Sequence, residues 1–326
     1  MQRVGVLFVA LAVFGAAGQT AAQSATAAQS ATIAPADLAA TWQLVSIERG
    51  VSTGKPERIP QPRGLLILDS AGNAFEWVGT PPREQPDAPN TDPMKALNDY
   101  SRFWGRYRVD AEQKRMVFTA RGAVNPSMTA REFSRTIERS GDLVTLTSVD
   151  EPHSRGGTRW VYERIPPIEA PGPTFRKAVG FWEYIVEKRI TTTGEVLSET
   201  KRGGPSTIVY TPAGFVGVHF LPINAKPTPF AGEVPTPEEA RAAVQGYIGY
   251  YGGLTVYPGQ VFHNLMSAMS NVPGTILRRF AEFSKDGNEL SVHFAPVRDQ
   301  QGRMVATWVT LRRLSGEAEM LGNNKK

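Results

Sequence analysis

The segments that decide the fold are VGFWEYI at residues 179–185 and AATWQLV at residues 39–45. In both, a tryptophan stands at the fourth position among small and apolar residues. Further along, TIVYTPAG at residues 207–214 answers LLILDSAG at residues 65–72, and each is an apolar run followed by a turn that ends in Ala-Gly. Similar segments in the same order predict two copies of one structural module.

Later landmarks keep this order in both copies. They pair FWG (103–105) with YYG (250–252), NP (125–126) with VP (272–273), REF (131–133) with RRF (278–280), and WVYER (160–164) with WVTLR (308–312). The chain between the copies, PPIEAPGP, is rich in proline and predicts a stiff linker. We expect a first module at 37–165, a linker at 166–177, a second module at 178–314 and a polar tail at 315–326.

Most of each copy has the pattern of short strands. Runs rich in Val, Ile, Phe, Tyr, Trp and Thr are separated by Gly, Asp, Asn and Pro, which is typical of antiparallel strands and their turns. These runs are 65–68, 207–210, 215–221, 261–269, 276–283, 290–294 and 305–311. The sequence SKDGN at 284–288 predicts a hairpin turn, because Gly287 and Asn288 tolerate a positive φ.

One helix is expected in each copy. Thr236, Pro237 and Glu239 stand where a capping residue, a first helical proline and a reciprocal glutamate are needed, so a helix is predicted from 237 to about 246. Asp92-Pro93 opens its counterpart. Closing a sheet on itself removes its exposed edges. We therefore predict an all-β fold of two tandem antiparallel barrels, each with one short helix.

The N-terminal residues predict export. Arg3 is followed by an apolar run at 4–17 and by the small residues TAA at 20–22, the pattern of a signal peptide over 1–22. Residues 23–36 are mostly Ala, Ser, Thr and Gln, which predicts a disordered leader. The apolar run is too short to span a bilayer, so we expect a periplasmic or secreted protein without membrane insertion.

Composition excludes several kinds of chemistry. The chain has no cysteine, which excludes thiol nucleophiles, zinc–thiolate sites and iron–sulfur clusters. Its formal net charge is +5 and basic residues are interspersed with acidic ones, so no nucleic-acid partner is expected. There is no Gly-x-Ser-x-Gly elbow, phosphate-binding loop or dinucleotide fingerprint. We expect no cofactor, and the oligomeric state stays open.

The second copy resembles the bacterial and fungal lipocalin-like domain family. The resemblance rests on Gly180-x-Trp182, on YTPxG at 210–214, on PEE at 237–239 leading into YxxYxG at 247–252, on VFH at 261–263 and on Trp308…Arg312. The first copy matches less well, with Met116 where the second carries His263. The resemblance implies a barrel of eight to ten strands with a ligand-sized interior. It does not imply one activity.

Candidate site residues lie mainly in the second copy. His263 alternates with apolar residues on one strand face, where a perturbed pKa suits a general acid or base, and Tyr250 is its candidate catalytic partner. Both have the alternative of a buried structural role. The candidate ligand-binding residues are His219, Tyr247, Tyr251 and Arg278.

Other patterns are structural or carry no site. Trp182 with Arg312, and Trp42 with Arg164, predict cation–π contacts at the closed ends of the barrels. The histidine spacing requires no metal site, and none is predicted.

Two functions remain open at this stage. The first is a protein that binds a small apolar or aromatic molecule in a barrel cavity. The second is a cofactor-independent isomerase, cyclase or lyase that uses the second barrel with His263 as acid–base. Whether the protein catalyses a reaction is not decided by its sequence.

Overall fold

The computed structural model describes residues 33–79, 92–148, 156–202, 204–223, 228–232, 234–269 and 273–323. The predicted signal peptide and most of the predicted leader lie outside the described residues. Both modules belong to one compact unit, Ile33–Lys326.

The first module is a closed antiparallel barrel. Its strands are β1 (Ala40–Arg49), β2 (Glu57–Arg58), β3 (Arg63–Leu68), β4 (Asn73–Gly79), β5 (Tyr100–Asp110), β6 (Arg115–Ala123), β7 (Glu132–Ser140), β8 (Leu143–Ser148) and β9 (Thr158–Ile165). Neighbours in the chain pair from β3 to β9, and β1 pairs with both β3 and β9, which closes eight strands into a barrel. The short β2 pairs only with the far end of β1.

The second module repeats this topology. Its strands are β10 (Gly180–Thr191), β11 (Val196–Thr200), β12 (Thr207–Tyr210), β13 (Phe215–Phe220), β14 (Ile248–Tyr257), β15 (Gln260–Ala268), β16 (Ile276–Phe283), β17 (Glu289–His293), β18 (Val297–Arg298) and β19 (Met304–Arg313). Here β10 pairs with β12 and β19, so eight strands close again, while β11 and β18 extend the wall. The predicted fold class is confirmed.

Short helices flank the barrels. They are α1 (Pro35–Leu38), α2 (Pro93–Asp99), α3 (Pro173–Ala178), α4 (Pro237–Val244) and α5 (Glu317–Met320), with 3₁₀ turns at Val51–Thr53 and Pro126–Met128. The capping box predicted for α4 is present, because the Thr236 hydroxyl accepts from the Glu239 amide and the Glu239 carboxylate from the Thr236 amide. Helix α1 begins inside the predicted leader, and α5 lies in the predicted polar tail, where Met320 is buried.

A tryptophan closes one end of each barrel. Trp182 Nε1 donates to Ala178 O at 2.8 Å, and Trp42 Nε1 donates to Leu38 O at 2.9 Å. The arginine over Trp182 is Arg313, with Cζ 4.1 Å from the ring centroid. Arg312 was the wrong expectation because β10 pairs Trp182 with Arg313, which leaves Arg312 on the other face, bonded to Glu183.

The barrels pack against each other through β4 and β13. Phe75 lies against Gly217, where an added Cβ would come within 2.6 Å of the ring. Trp77 Nε1 donates to Ser267 Oγ at 3.0 Å, across the same interface. One cluster of buried apolar side chains contains Phe75 and Trp77 together with most of the second barrel's core. One face of the first barrel is therefore continuous with the second barrel's core, while the interior of the first barrel forms an apolar cluster of its own.

The helices of the described ranges are all too short or too polar for a membrane crossing.

Candidate functional site

The interior of the second barrel holds a buried histidine between two tyrosines. His263 on β15 is 1% exposed, and its neighbours Val261 and Leu265 on the same strand face are also buried. The Tyr250 hydroxyl lies 2.8 Å from His263 Nδ1, and the Tyr210 hydroxyl lies 3.1 Å from Nε2. A neutral imidazole has one donor and one acceptor nitrogen, so one phenol donates to the ring and the other accepts from it.

Burial keeps this network neutral. Desolvation, together with the smaller effect of the nearby Arg279 guanidinium, lowers the pKa of His263 to about 3. Burial also raises the pKa of Tyr210 and of Tyr250 above that of a free phenol. An imidazole with such a pKa is unprotonated at neutral pH and is a weak base. The three side chains form a neutral hydrogen-bonded chain.

The inward-facing arginine of β16 is Arg279, not Arg278. Arg279 pairs with the fully buried Val261, so the two side chains share the inner face. Its charge acts on Tyr210, Tyr250 and His263. Arg278 faces solvent, where its Nε donates to Gln260 Oε1 at 3.1 Å. The placement of Arg278 in the barrel was wrong by one residue, which reverses the face in a strand.

Arg279 has no carboxylate partner among the described residues. Its guanidinium donates to Arg278 O and lies over Phe294, with Cζ 4.1 Å from the ring centroid. No acidic group contributes to its pKa, which burial lowers and the two phenols raise. Arg279 is partly buried, and a cation without an anion costs free energy to the extent that it is removed from water.

The first barrel carries a different polar group. Arg135 donates to both carboxylate oxygens of Glu76, at 2.5 and 2.9 Å, and the Tyr162 hydroxyl donates to Glu76 Oε1 at 2.8 Å. The arginine and the glutamate are both fully buried. The Arg135 guanidinium also lies over Trp160, with Cζ 4.0 Å from its ring centroid. The charges of this group are therefore neutralised by residues of the chain itself.

The strand registers show which residues of the two barrels correspond. The pairing register shifts by one residue between Trp104 and Gly105 in the first barrel and between Tyr251 and Gly252 in the second. Three residues beyond Trp104 and Tyr251, Tyr107 pairs with Phe118 and Leu254 pairs with His263. The counterpart of His263 is therefore Phe118. Met116 was the wrong counterpart, because the pairing of β6 with β5 is shifted along the sequence relative to the pairing of β15 with β14.

Continuing from these pairs identifies the other counterparts. Arg135 pairs with the residue two positions before Phe118, and Arg279 pairs with the residue two positions before His263. The two arginines therefore correspond. Glu76 pairs with Leu66, and Val218 pairs with Ile208. Leu66 and Ile208 each pair in turn with the closing tryptophan of their barrel, so Glu76 and Val218 correspond. By the same registers the remaining first-barrel counterparts are Phe103 for Tyr250, Leu68 for Tyr210 and Tyr162 for Leu311.

His219 and Tyr251 lie outside the second barrel's interior. Both side chains point toward the first barrel, where Tyr251 makes an edge-on contact with Trp77 at 6.1 Å between centroids. The Tyr247 hydroxyl lies 2.7 Å from His219 Nδ1. Burial and the charge of Arg102 lower the pKa of His219 to about 3. On the same strand face, the space beside Gly217 is filled by the ring of Phe75.

A cavity of about 990 Å³ opens at the end of the second barrel where α4 leads into β14. Its walls include Tyr247 and Ile248 of that connection, Thr307 of β19 and Phe294. Its charged residues, Glu187 and Arg202, are paired at 3.4 Å. Phe294 connects the cavity to the polar interior, because its ring carries the Arg279 guanidinium.

The predicted residues therefore separate into three places. Tyr250 and His263 meet inside the barrel, Tyr247 and His219 meet at the barrel interface, and Arg278 faces solvent. Sequence reasoning missed Tyr210 and Arg279, although alternation along 277, 279, 281 and 283 places Arg279 with an apolar face. Within the described ranges no three His, Asp or Glu side chains are grouped to hold a metal ion.

No family model matches the chain, and no curated protein matches it. A similar solved structure is the crystal structure of a protein of unknown function from the DUF3598 family of Nostoc punctiforme PCC 73102. The identity is 10%, the match covers 84% of this chain and 96% of that one, and the TM-score is 0.21.

Proposed function

We propose that this chain is an exported lipocalin-like protein whose second barrel binds a small, largely apolar molecule. The observation that carries the proposal is the cavity of about 990 Å³ at the end of that barrel. Its size is at the upper end for ligand pockets, which are mostly apolar and hold a few polar anchors. Apolar residues dominate its wall, among them Pro222, Ile248, Met269 and Phe294.

The first barrel serves as a structural partner in this proposal. The counterparts of the His263 group are apolar, and the rings of Phe103, Phe118 and Phe133 pack within 5.3 Å of one another. Its inward arginine is already paired with Glu76. Both features favour the second barrel as the ligand site.

The acid–base alternative receives less support from the geometry. Both ring nitrogens of His263 already have phenol partners, and its pKa of about 3 makes the imidazole a weak base at neutral pH. Catalysis by His263 and Tyr250 stays a prediction. Native mass spectrometry after incubation with host extract tests catalysis. If the barrel is an enzyme, the wild type converts a compound that His263→Ala binds and releases unchanged.

Binding is tested with the neutral fluorescent probe N-phenyl-1-naphthylamine. We expect saturable fluorescence enhancement with one strong site per chain. Thr307→Trp places an indole in the cavity wall and should weaken binding at least tenfold. The control is Thr310→Trp, the same change on the same strand at a residue outside the cavity lining. Absence of saturable binding, or equal loss in both variants, would contradict the proposal.

A further inference from the structure

The two barrels share an inward-facing arginine but differ in what faces it. Arg135 and Arg279 occupy the same register position, opposite Met116 and Val261. An arginine inside a barrel has to be neutralised or left at a cost. The residues around these two positions show how each barrel meets that requirement.

In the first barrel the anion is part of the chain. Glu76 takes two hydrogen bonds from Arg135 and a third from Tyr162, and all three residues are buried. Such bidentate arginine–carboxylate pairs are strong and set the geometry of both groups. The first barrel therefore contains a complete carboxylate site, with its carboxylate in place.

In the second barrel the carboxylate is missing from the corresponding position. Val218 stands where the first barrel has Glu76, and Leu311 stands where it has Tyr162. Arg279 meets no carboxylate among the described residues. The phenols of Tyr210 and Tyr250 interact electrostatically with its guanidinium. Compared with the first barrel, the second barrel keeps the arginine and has hydroxyl groups, but has no carboxylate at the position of Glu76.

This incomplete site is next to the cavity. The Arg279 guanidinium lies on Phe294, and Phe294 is part of the cavity wall. The charged residues of that wall, Glu187 and Arg202, already neutralise each other. A negatively charged group entering the cavity would therefore find Arg279 as the cation available to it among the described residues.

We propose that the ligand of the second barrel carries a carboxylate, which pairs with Arg279 as Glu76 pairs with Arg135. This inference rests on the proposed function and specifies the chemical class of its ligand. The apolar wall holds the body of the molecule, and the acidic group reaches past Phe294. Tyr210 or Tyr250 supplies the hydroxyl contact that Tyr162 supplies in the first barrel.

The test compares an acid with its matched alcohol. Dodecanoate and dodecanol have the same apolar chain, and each is titrated against bound N-phenyl-1-naphthylamine at pH 8. A charge-assisted hydrogen bond favours the acid by about tenfold to a hundredfold. We expect this preference in the wild type and its loss in Arg279→Met, with dodecanol displacement unchanged.

Arg278→Met is the matched control. It removes the same charge one residue away, on the solvent face, and should keep the preference for the acid. Val218→Glu is a second variant that adds an internal carboxylate where the first barrel has one, and it should lose the preference while still binding the dye. Circular dichroism and thermal melting show whether each variant is folded.

The outcomes separate this inference from the proposed function. If the wild type binds the dye and both competitors displace it equally, the barrel binds apolar molecules and the carboxylate inference is wrong. If Arg278→Met loses the preference and Arg279→Met keeps it, the inference is also wrong. If the wild type does not bind the dye, the proposed function fails, and the inference fails with it.

Discussion

Replacing the two corresponding arginines by methionine should affect stability very differently. Arg135→Met leaves the carboxylate of Glu76 fully buried, and within the described ranges the Tyr162 hydroxyl is then the one side chain that bonds it. Breaking a buried ion pair by removing one partner costs about 3–5 kcal/mol. Arg279→Met removes a cation that has no carboxylate partner among the described residues. We expect its cost to lie within about 1 kcal/mol of zero.

Urea unfolding followed by tryptophan fluorescence and by far-UV circular dichroism measures both changes. An apolar interface joins the first barrel to the core of the second, so we expect a single transition with coincident probes. The double variant Arg135→Met/Glu76→Leu provides a control, because it removes the stranded charge as well. It should recover at least half of the loss, since replacing a whole buried pair by apolar residues is close to neutral.

Two results would refute this reasoning. A loss of more than about 3 kcal/mol in Arg279→Met would mean that Arg279 is paired as tightly as Arg135. No recovery in the double variant would mean that the cost of Arg135→Met comes from lost packing against Trp160 rather than from the charge of Glu76.

Two further predictions concern pH and the barrel interface. Burial lowers the pKa of His263 from 6.5 to about 3, so the unfolded chain binds protons more readily in this range, and the free energy of unfolding falls as the pH drops from about 6.5 toward 3. Between pH 7 and pH 4.5 the melting temperature should fall less for His263→Phe than for wild type. Equal falls in melting temperature would contradict the prediction. Gly217→Val should destabilise the protein by about 1–3 kcal/mol through its clash with Phe75, and adding Phe75→Ala should recover part of this in urea unfolding, whereas no recovery would place the clash elsewhere.

Much of the architecture could be predicted from the sequence. Short β-rich runs and turns gave the strands, and the repeated landmarks gave two copies, because each copy needs the same apolar positions to close a barrel. The pairing of His263 with Tyr250 also followed from the candidate residues. These inferences depend on local patterns, which a single strand carries by itself.

Register and docking could not be predicted in the same way. The hairpin that joins β5 to β6 has four residues between its last pair, Asp110 and Arg115, whereas the hairpin that joins β14 to β15 has two, between Tyr257 and Gln260, so counting residues assigned His263 the wrong counterpart. A shift of one residue also exchanged Arg278 for Arg279. The face that holds His219 is apolar enough for a barrel interior, but it is buried by the first barrel. Only the packed pair of barrels distinguishes these two environments.

The contrast between the two arginines bears on why the second barrel is built as it is. If the inward position served stability alone, an apolar residue at 279 would remove the cost of burying a cation, and a glutamate at 218 would neutralise it as in the first barrel. The second barrel has neither, and it adds two phenols and an imidazole where the first has Phe103, Leu68 and Phe118. On the proposal made above, its polar groups lie where a ligand carboxylate would bind, next to the cavity. A ligand carboxylate that binds there, as proposed, would recover the free energy lost by leaving Arg279 without a carboxylate, and would couple the occupancy of the cavity to the stability of the barrel.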